Sequence, residues 1–406
     1  EYEIDKLIER SGYPATTTLP AINSILSFIA LKLSDVRRYS ADDLWCMDRG
    51  IGLFAGLNVL PKTAWFSSYS HRVTRKNNLN FLKGMGGILA SHGLLSDTAN
   101  LDFTSIPYWG DSAHLENNWS GIRHTALPSI LAVLAQDPES GLLTYGDTNV
   151  RHENKNEVVV EFLDFYPQQG KVDLKYLIFD SKFTTYQNLR KLDEEGKVKF
   201  ITIRRRGKQI VDKLATVPAE EWKKVRVPTG EGKTRQLQVL DQKIRIKEYG
   251  KELRQIAITG HGRIKPALII TNDFDISREM IIRKYAKRWL VEKEISEQIY
   301  FFHLNRVSSS MVIKVDFDLT MTILAHNLYR LIAKDLPGFE NHTSVSIFEK
   351  FLYNSGDVKI DPDTITISMK KKRNLPALLT AMDRFQHCKI PWLGDRSLQF
   401  SGASRS

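Results

Sequence analysis

Apolar residues recur every three or four positions near both ends of the chain, and every second position or in short unbroken runs through its middle. A 3.6-residue repeat gathers such positions on one helix face, whereas alternation gathers them on one strand face. Residues 21–33 (AINSILSFIALKL) follow the first pattern, and 41–57 predict a second helix ended by Gly56 and Pro61. Residues 1–95 therefore read as a helical N-terminal region. From 99 the period changes. Residues 99–106 predict a strand with Asp102 inside it, and 125–134 with 142–145 predict a hairpin turned by Asp137, Pro138, Glu139, Ser140 and Gly141. A helix over 156–165, an apolar strand over 174–179 (LKYLIF) ending at Asp180, a helix over 185–192 and a strand over 198–203 follow. This succession predicts an α/β layout around a mixed sheet.

Residues 237–240 and 243–247 alternate polar and apolar side chains, with Lys243, Arg245 and Lys247 on the outward face of the second run. With further strands over 255–259 and 267–271 they predict a β-rich insertion. Two long helices come next, 277–303 and one within 311–336 whose apolar stripe predicts core. Beyond 337 the pattern gives one strand, 364–369, a Lys370–Arg373 basic tetrad, and an ending over 401–406 expected to be disordered.

Composition narrows the class. The chain has 406 residues, 42% hydrophobic, enough for more than one domain. No apolar run reaches the ~18 residues of a membrane span, and no signal-peptide pattern opens the sequence. Two cysteines, Cys46 and Cys388, form no motif with each other or with histidines, so neither a disulfide framework nor a zinc site is expected. A reducing cytoplasm is the expected setting. The net charge of +11 is concentrated, because residues 197–265 hold 19 Lys or Arg against 7 Asp or Glu. A basic block of that density points to a polyanion such as nucleic acid. Around Tyr69, His71, Arg72, Arg75 and Lys76 lies a weaker basic spot.

Three carboxylates stand out by context. Asp180 follows a buried-type strand, at the end where α/β sheets place their sites. Asp102 lies in the first strand. Glu292 shares a helix face with Ile281, Tyr285, Arg288, Ile295 and Ile299, where it reads either as an ion-pair partner of Arg288 or as one arm of a metal site. Asp147 competes with Asp102, but a strand, a hairpin and a helix fit between Asp102 and Asp180, which lets the first and fourth strands be neighbours. Converging carboxylates repel, and a hard divalent cation such as Mg2+ relieves this.

These residues together resemble the DDE transposases of bacterial insertion sequences, in particular the cut-and-paste group with a β-rich insertion in a ribonuclease H-like core. The second-Asp motif matches at Tyr176-Leu177-Ile178-Phe179-Asp180-Ser181-Lys182-Phe183, leading into Asn188-Leu189, and the helix signature matches at Tyr285, Arg288, Trp289 and Glu292. The resemblance spans about residues 95–335. It implies a core split into 96–203 and 273–336 by the insertion 204–272, with a C-terminal region over 337–406. It further implies Asp102, Asp180 and Glu292 as catalytic metal ligands for two Mg2+ ions, replaceable by Mn2+, and DNA contacts from Tyr285 and Arg288, beside those the basic block suggests for Lys243, Arg245 and Lys247. The implied partners are the element's ends and target DNA, bound by a homodimer in a prokaryotic cytoplasm; a domesticated, DNA-binding-only transposase is the alternative. One departure stands out: the lysine expected seven residues past Glu292 is Ile299, so its part is either lost or taken by another cation, such as Lys293 or one in the basic block.

Overall fold

The structure is a computed structural model describing residues 2–36, 44–108, 115–120, 124–169, 173–229, 233–262, 265–304 and 311–402; the side chains of 120, 229, 233, 289–294 and 298 lie outside the described set. Five helices open the chain: α1 (Ile4–Arg10), α2 (Ala21–Leu33), α3 (Arg49–Phe54), α4 (Thr63–Tyr69) and α5 (Arg75–Ser91). In α2 an unbroken run from Ser24 to Leu31 is buried, as its apolar sequence requires. The helix expected over 41–57 is shorter: a 3-10 turn at Leu44–Met47 gives way to α3, because the Asp48 carboxylate accepts the N–H groups of Gly50 and Ile51 and starts a new helix there. Residues 37–43 lie outside the described set. α5 begins with a capping box in which the Thr74 and Asn77 side chains satisfy each other's backbone N–H.

The centre is one ten-stranded sheet with β4 paired to β3 beside the path β2-β3-β1-β5-β6-β10-β9-β8-β7. Its core strands are β1 (Thr98–Pro107), β2 (Asn117–Ser120), β3 (Thr125–Gln136), β4 (Leu143–Val150), β5 (Tyr176–Phe179) and β6 (Lys199–Ile203), with α6 (Val158–Phe165) and α7 (Tyr186–Glu195) between the later ones. β1, β5 and β6 are parallel neighbours, and β3 and β4 form the antiparallel hairpin on the other side. This is a mixed α/β sheet with flanking helices, consistent with a ribonuclease H-like core, and the N-terminal region is helical as its periodicity predicts.

After β6 the chain forms α8 (Lys208–Ala215), β7 (Lys223–Thr229), β8 (Lys233–Arg245), β9 (Glu252–Thr259) and β10 (Ala267–Thr271). The basic strands extend the central sheet directly, because β10 pairs with β6. The two runs around 237–247 belong to the single strand β8, which stops at Arg245. Lys247 falls in the turn beyond, closed by the Tyr249 and Gly250 N–H groups on the Ile246 carbonyl. The long helices α9 (Arg278–Tyr300) and α10 (Val312–Asp335) follow, and α10 is buried along most of its length. The chain ends with α11 (Ser344–Ile347) and a second sheet, β11 (Gly356–Ile360), β12 (Thr364–Met369), β13 (Lys389–Ile390) and β14 (Arg396–Gly402), with α12 (Leu375–Met382) beside it. Alternation reveals only β12 of these four, since β11 is exposed throughout and β13 has two residues. Ser401 and Gly402, expected to be disordered, continue β14 in register with β12; residues 403–406 lie outside the described set.

Candidate active site

β1 and β5 run parallel with Thr98 opposite Tyr176, Asn100 opposite Ile178 and Leu101 opposite Phe179. Continued by one residue, this register sets Asp102 level with Asp180, the residue that follows β5, with adjacent strands roughly 4.8 Å apart and alternation directing both to the same face. Strand alternation then sorts the side chains. Ala99, Leu101, Leu177 and Phe179 enter the main core, while Thr98, Asn100 and Asp102 with Tyr176, Ile178 and Asp180 face α9.

Of these α9-facing groups, Thr98, Asn100, Asp102, Tyr176 and Ile178 each meet the helix. Lys284 Nζ donates to Thr98 Oγ1 at 2.7 Å and lies 4.3 Å from the Tyr176 ring centroid, and Asn100 Nδ2 donates to the Lys287 carbonyl at 3.2 Å. The Arg288 Nη1 group reaches Asp102 Oδ2 at 3.4 Å. Ile281, Ile282 and Tyr285 pack with Ile178 and Ile201 in one apolar cluster. The helix therefore crosses the sheet along a zipper of polar contacts lined with apolar ones, and Arg288 sits over the carboxyl ends of the strands. The entry of α9 is fixed as well. Ser277 Oγ accepts the Met280 N–H, and the Asp273 carboxylate accepts from Tyr176 Oη at 2.8 Å and from the Asp275 and Ile276 N–H groups. Against the cost of burial, those hydrogen bonds hold the Asp273 carboxyl below its ordinary value.

Beneath the two aspartates, on the other side of the sheet, Phe103 and Phe183 stack with ring centroids 3.8 Å apart and planes 3° from parallel. Phe183 is fully buried and its N–H donates to the Asp180 carbonyl, so the turn after β5 is pinned to the strand that carries Asp102. Sequence reasoning missed this support. Its signal was an aromatic residue directly after Asp102 and another three past Asp180.

Among the described residues Asp180 takes one hydrogen bond, from the Ser181 N–H at 2.6 Å. Asp102 accepts the Phe103 N–H at 2.9 Å besides its Arg288 contact. Tyr285 is buried, and burial pushes its hydroxyl above the ordinary value, with Arg288 opposing and Asp180 and Asp102 adding to the rise. Tyr285, Arg288, Asp102 and Asp180 thus lie within electrostatic reach of one another. Glu292 follows Arg288 by one helical turn on α9; its side chain, like that of Trp289, lies outside the described set. Ile295 is buried and Ile299 packs against the main core, so the position of the missing lysine points inward.

Asp147 is placed elsewhere. Leu134 of β3 stands opposite both Asp102 and Gly146, so Gly146, rather than Asp147, shares the face of Asp102. The Asp147 carboxylate is taken by Arg75 at 3.2 Å, Tyr145 Oη at 3.3 Å and the Asn149 N–H at 2.7 Å. Arg75 also binds Asp316 at 2.5 Å, which removes it from the basic surface spot that the sequence suggests.

The register carried across β5, β6, β10, β9 and β8 sets Phe179 level with Gln242. Lys243 and Arg245 are exposed and share the α9 face, but they run away from the Asp180 end of the sheet. Arg235 lies at the Asp180 end of β8, exposed, with its Nε donating to the Gly260 carbonyl at 3.2 Å. Lys182 is exposed two residues past Asp180.

Two carboxylates at one strand spacing form a hard-oxygen donor set suited to Mg2+ or Mn2+. Among the described residues no three His, Cys, Asp or Glu side chains converge as a metal cluster, and the third carboxylate the sequence supplies is Glu292. No helix among the described residues is long and apolar enough to cross a membrane. No curated protein matches the chain in sequence. The model of the transposase DDE domain, however, matches residues 101–328, from the residue before Asp102 into α10. With over half of the chain matched, and with the mixed sheet and paired aspartates described above, this protein belongs to the DDE transposase family, whose members cut DNA and transfer strands in transposition.

Proposed function

We propose that this chain is an active insertion-sequence transposase that cleaves phosphodiesters at the ends of its element and joins the freed ends to a target. The observation that carries this reading is the β1–β5 register, which brings Asp102 and Asp180 to one point on the α9 face. Asp102, Asp180 and Glu292 are assigned as the ligands of two divalent cations, Mg2+ or Mn2+. Such cations, when bound, neutralise charge building on the oxygens of an in-line displacement at phosphorus. The chain's own residues do the rest. Asp102 and Asp180 bind, and Arg288 holds Asp102 in orientation while offsetting the repulsion between the two carboxylates. Lys182 and Arg235, exposed at the same end of the sheet, meet DNA phosphates.

Arg288 and Tyr285 take a different part from the phosphate contact expected of them. Arg288 is 6% exposed and Tyr285 9%, both held between α9 and the sheet, and a phosphate needs open surface. They are read as positioning residues for the carboxylates. Lys243 and Arg245 remain a route for flanking DNA along the sheet. The protein would act as a homodimer holding two DNA ends in a prokaryotic cytoplasm.

One observation favours the alternative of DNA binding without cutting: Ile299 stands against the core where the family carries a lysine. A single assay decides. Duplexes carrying the inverted repeats that flank the gene are incubated with the protein and Mg2+ or Mn2+, and nicked and joined products are resolved. The expected result is cleavage and joining by the unmodified chain, with Asp180→Asn binding equally but cutting at least ~10^3-fold more slowly. Cleavage that survives Asp180→Asn refutes the assignment of the site. Binding without cleavage supports the alternative, and cleavage without joined product marks a nuclease.

A further inference from the structure

The C-terminal sheet is divided cleanly by alternation. In register, one face carries Val358, Ile360, Ile365, Ile367, Met369, Leu398 and Phe400, and the other Asp357, Lys359, Thr364, Thr366, Ser368, Ser397, Gln399 and Ser401. At the β14 end Leu375 of α12 lies over the apolar face, close enough to touch a Cβ placed at Gly402, and Ile365 is 1% exposed. The cover gives out at β11. There Val358 is 43% exposed and Ile360 57%, and β11 is the edge strand of the sheet.

That edge has its hydrogen-bonding groups facing outward in a defined order. The Lys370 N–H donates to the Ser355 carbonyl and the Asp361 N–H to the Thr364 carbonyl, so odd-numbered residues of this strand turn their backbone groups toward β12. Antiparallel alternation then points the N–H and C=O groups of Gly356, Val358 and Ile360 away from the sheet. Natural edges are guarded by proline, bulges or charge. β11 has no proline, pairs with β12 without a bulge, and its one lysine, Lys359, is offset by Asp357 and by Asp361 at 3.1 Å.

The sequence of β11, Gly-Asp-Val-Lys-Ile, is complementary to itself. Turned about Val358, an antiparallel copy sets Asp357 opposite Lys359 in both directions, at the closer non-hydrogen-bonded positions. Val358 meets Val358, and Ile360 meets Gly356, the residue with no side chain to obstruct it. We propose that β11 is a self-association edge whose partner is β11 of a second copy of this chain, joining the two C-terminal sheets into one. The exposed Lys359–Asp361 contact is of the kind that contributes little and is readily exchanged for the cross-strand pair. The proposal stands apart from the transposition reading, because it is tested without DNA or metal and a chain that cuts nothing can still pair in this way.

The test uses the full chain in sedimentation equilibrium with two single charge reversals, Asp357→Lys and Lys359→Asp. Each variant alone sets like charges opposite each other twice. Mixed, the two restore both pairs, because one variant then presents lysine at both charged positions and its counterpart presents aspartate at both. The expected result is a concentration-dependent dimer for the unmodified chain, a dissociation constant raised at least about tenfold for each variant, and recovery in the equimolar mixture. Recovery on mixing also shows that both variants are folded. The proposal is overturned if the unmodified chain stays monomeric up to ~200 µM, a weak range for a small interface. It is equally overturned if neither reversal shifts the dimer, or if mixing restores nothing.

Discussion

Two clusters in this molecule pair an arginine with two aspartates, and they behave as opposites. At the edge of the sheet, Arg75 of α5 lies between Asp147 of β4 and Asp316 of α10. Every contact there is made by a donor: Asp316 also receives Asn78 Nδ2 at 2.6 Å and Thr148 Oγ1 at 3.4 Å, and Asp147 receives Tyr145 Oη and the Asn149 N–H. Burial raises the Asp316 carboxyl, against the pull of Arg75 and Asn78. At the carboxyl ends of β1 and β5, Arg288 reaches Asp102, while Asp180 has only the Ser181 N–H among the described residues. Both clusters are largely buried. What separates them is how many acceptor positions are filled, because a carboxylate offers about four lone-pair sites and a satisfied one has little left for a metal. The first cluster clamps the N-terminal helices onto the core; in the second, Asp180 accepts a single hydrogen bond among the described residues, which is what the proposed metal role requires of it.

This contrast is broken most severely by exchanging readouts. Asp180→Asn is expected to cost at least ~10^3 in cleavage rate and little in stability, since its one described hydrogen bond survives in the amide oxygen. Asp316→Ala should do the reverse. It leaves Arg75 short of its closest partner and is expected to lower unfolding free energy by ~3–5 kcal/mol in urea titrations, with cleavage per folded molecule unchanged. If Asp316→Ala abolished cleavage while leaving the unfolding midpoint in place, the division between clamp and site would be wrong.

A smaller effect concerns the far end of α9. Glu297 Oε2 accepts from Ser344 Oγ at 2.8 Å and its N–H at 3.4 Å, and His326 Nδ1 lies 3.8 Å away with its Nε2 against the Gly141 carbonyl at 3.1 Å. Burial pushes His326 from its ordinary 6.5 down to about 4, with Glu297 and the Gly141 carbonyl opposing and Arg330 assisting. Between those values the unfolded chain binds a proton that the folded chain refuses. Stability from this site is therefore complete above pH 6.5 and declines as pH falls toward 4. Urea midpoints measured from about pH 7.5 to 4.5 should fall more steeply for the unmodified chain than for His326→Gln. Equal slopes would mean that other groups set the acid sensitivity.

The sequence showed the catalytic sheet well and its supports poorly, and the reason is physical. Apolar runs and their spacing are local, so β1, β5, β6 and α9 are legible, as is the room between strands that lets β1 and β5 be neighbours. Tertiary pairing is not local. Nothing around Arg75 says that it leaves the surface for Asp316, 241 residues away in sequence. The direction of Arg288 depends on where α9 crosses the sheet, so its burial against Asp102 could not be told from a phosphate contact. Strand alternation read Lys243, Arg245 and Lys247 as one outward face, yet the turn at Ile246 removes Lys247, and only the sheet register shows that the other two run away from Asp180.

That register gives the comparison its finest test. Arg235 and Lys243 stand on the same face of β8 but toward opposite ends, so they ask whether DNA crosses only the end of the sheet beside Asp180 or also follows the strands back. Lys243 is held loosely, 3.7 Å from Glu252 and 5.5 Å from the Phe274 ring centroid, and both side chains are exposed. Replacing either with alanine should leave stability within about 0.5 kcal/mol. Removing a cation that neutralises one phosphate should lower the slope of log affinity against log salt by about one. Arg235→Ala is expected to show that change in duplex binding measured across a salt series. If Lys243→Ala shows it too, the DNA path runs along the whole strand; if Lys243→Ala leaves the slope untouched, the duplex is confined to the end that holds Asp102 and Asp180, and the far half of the basic face is solvated surface.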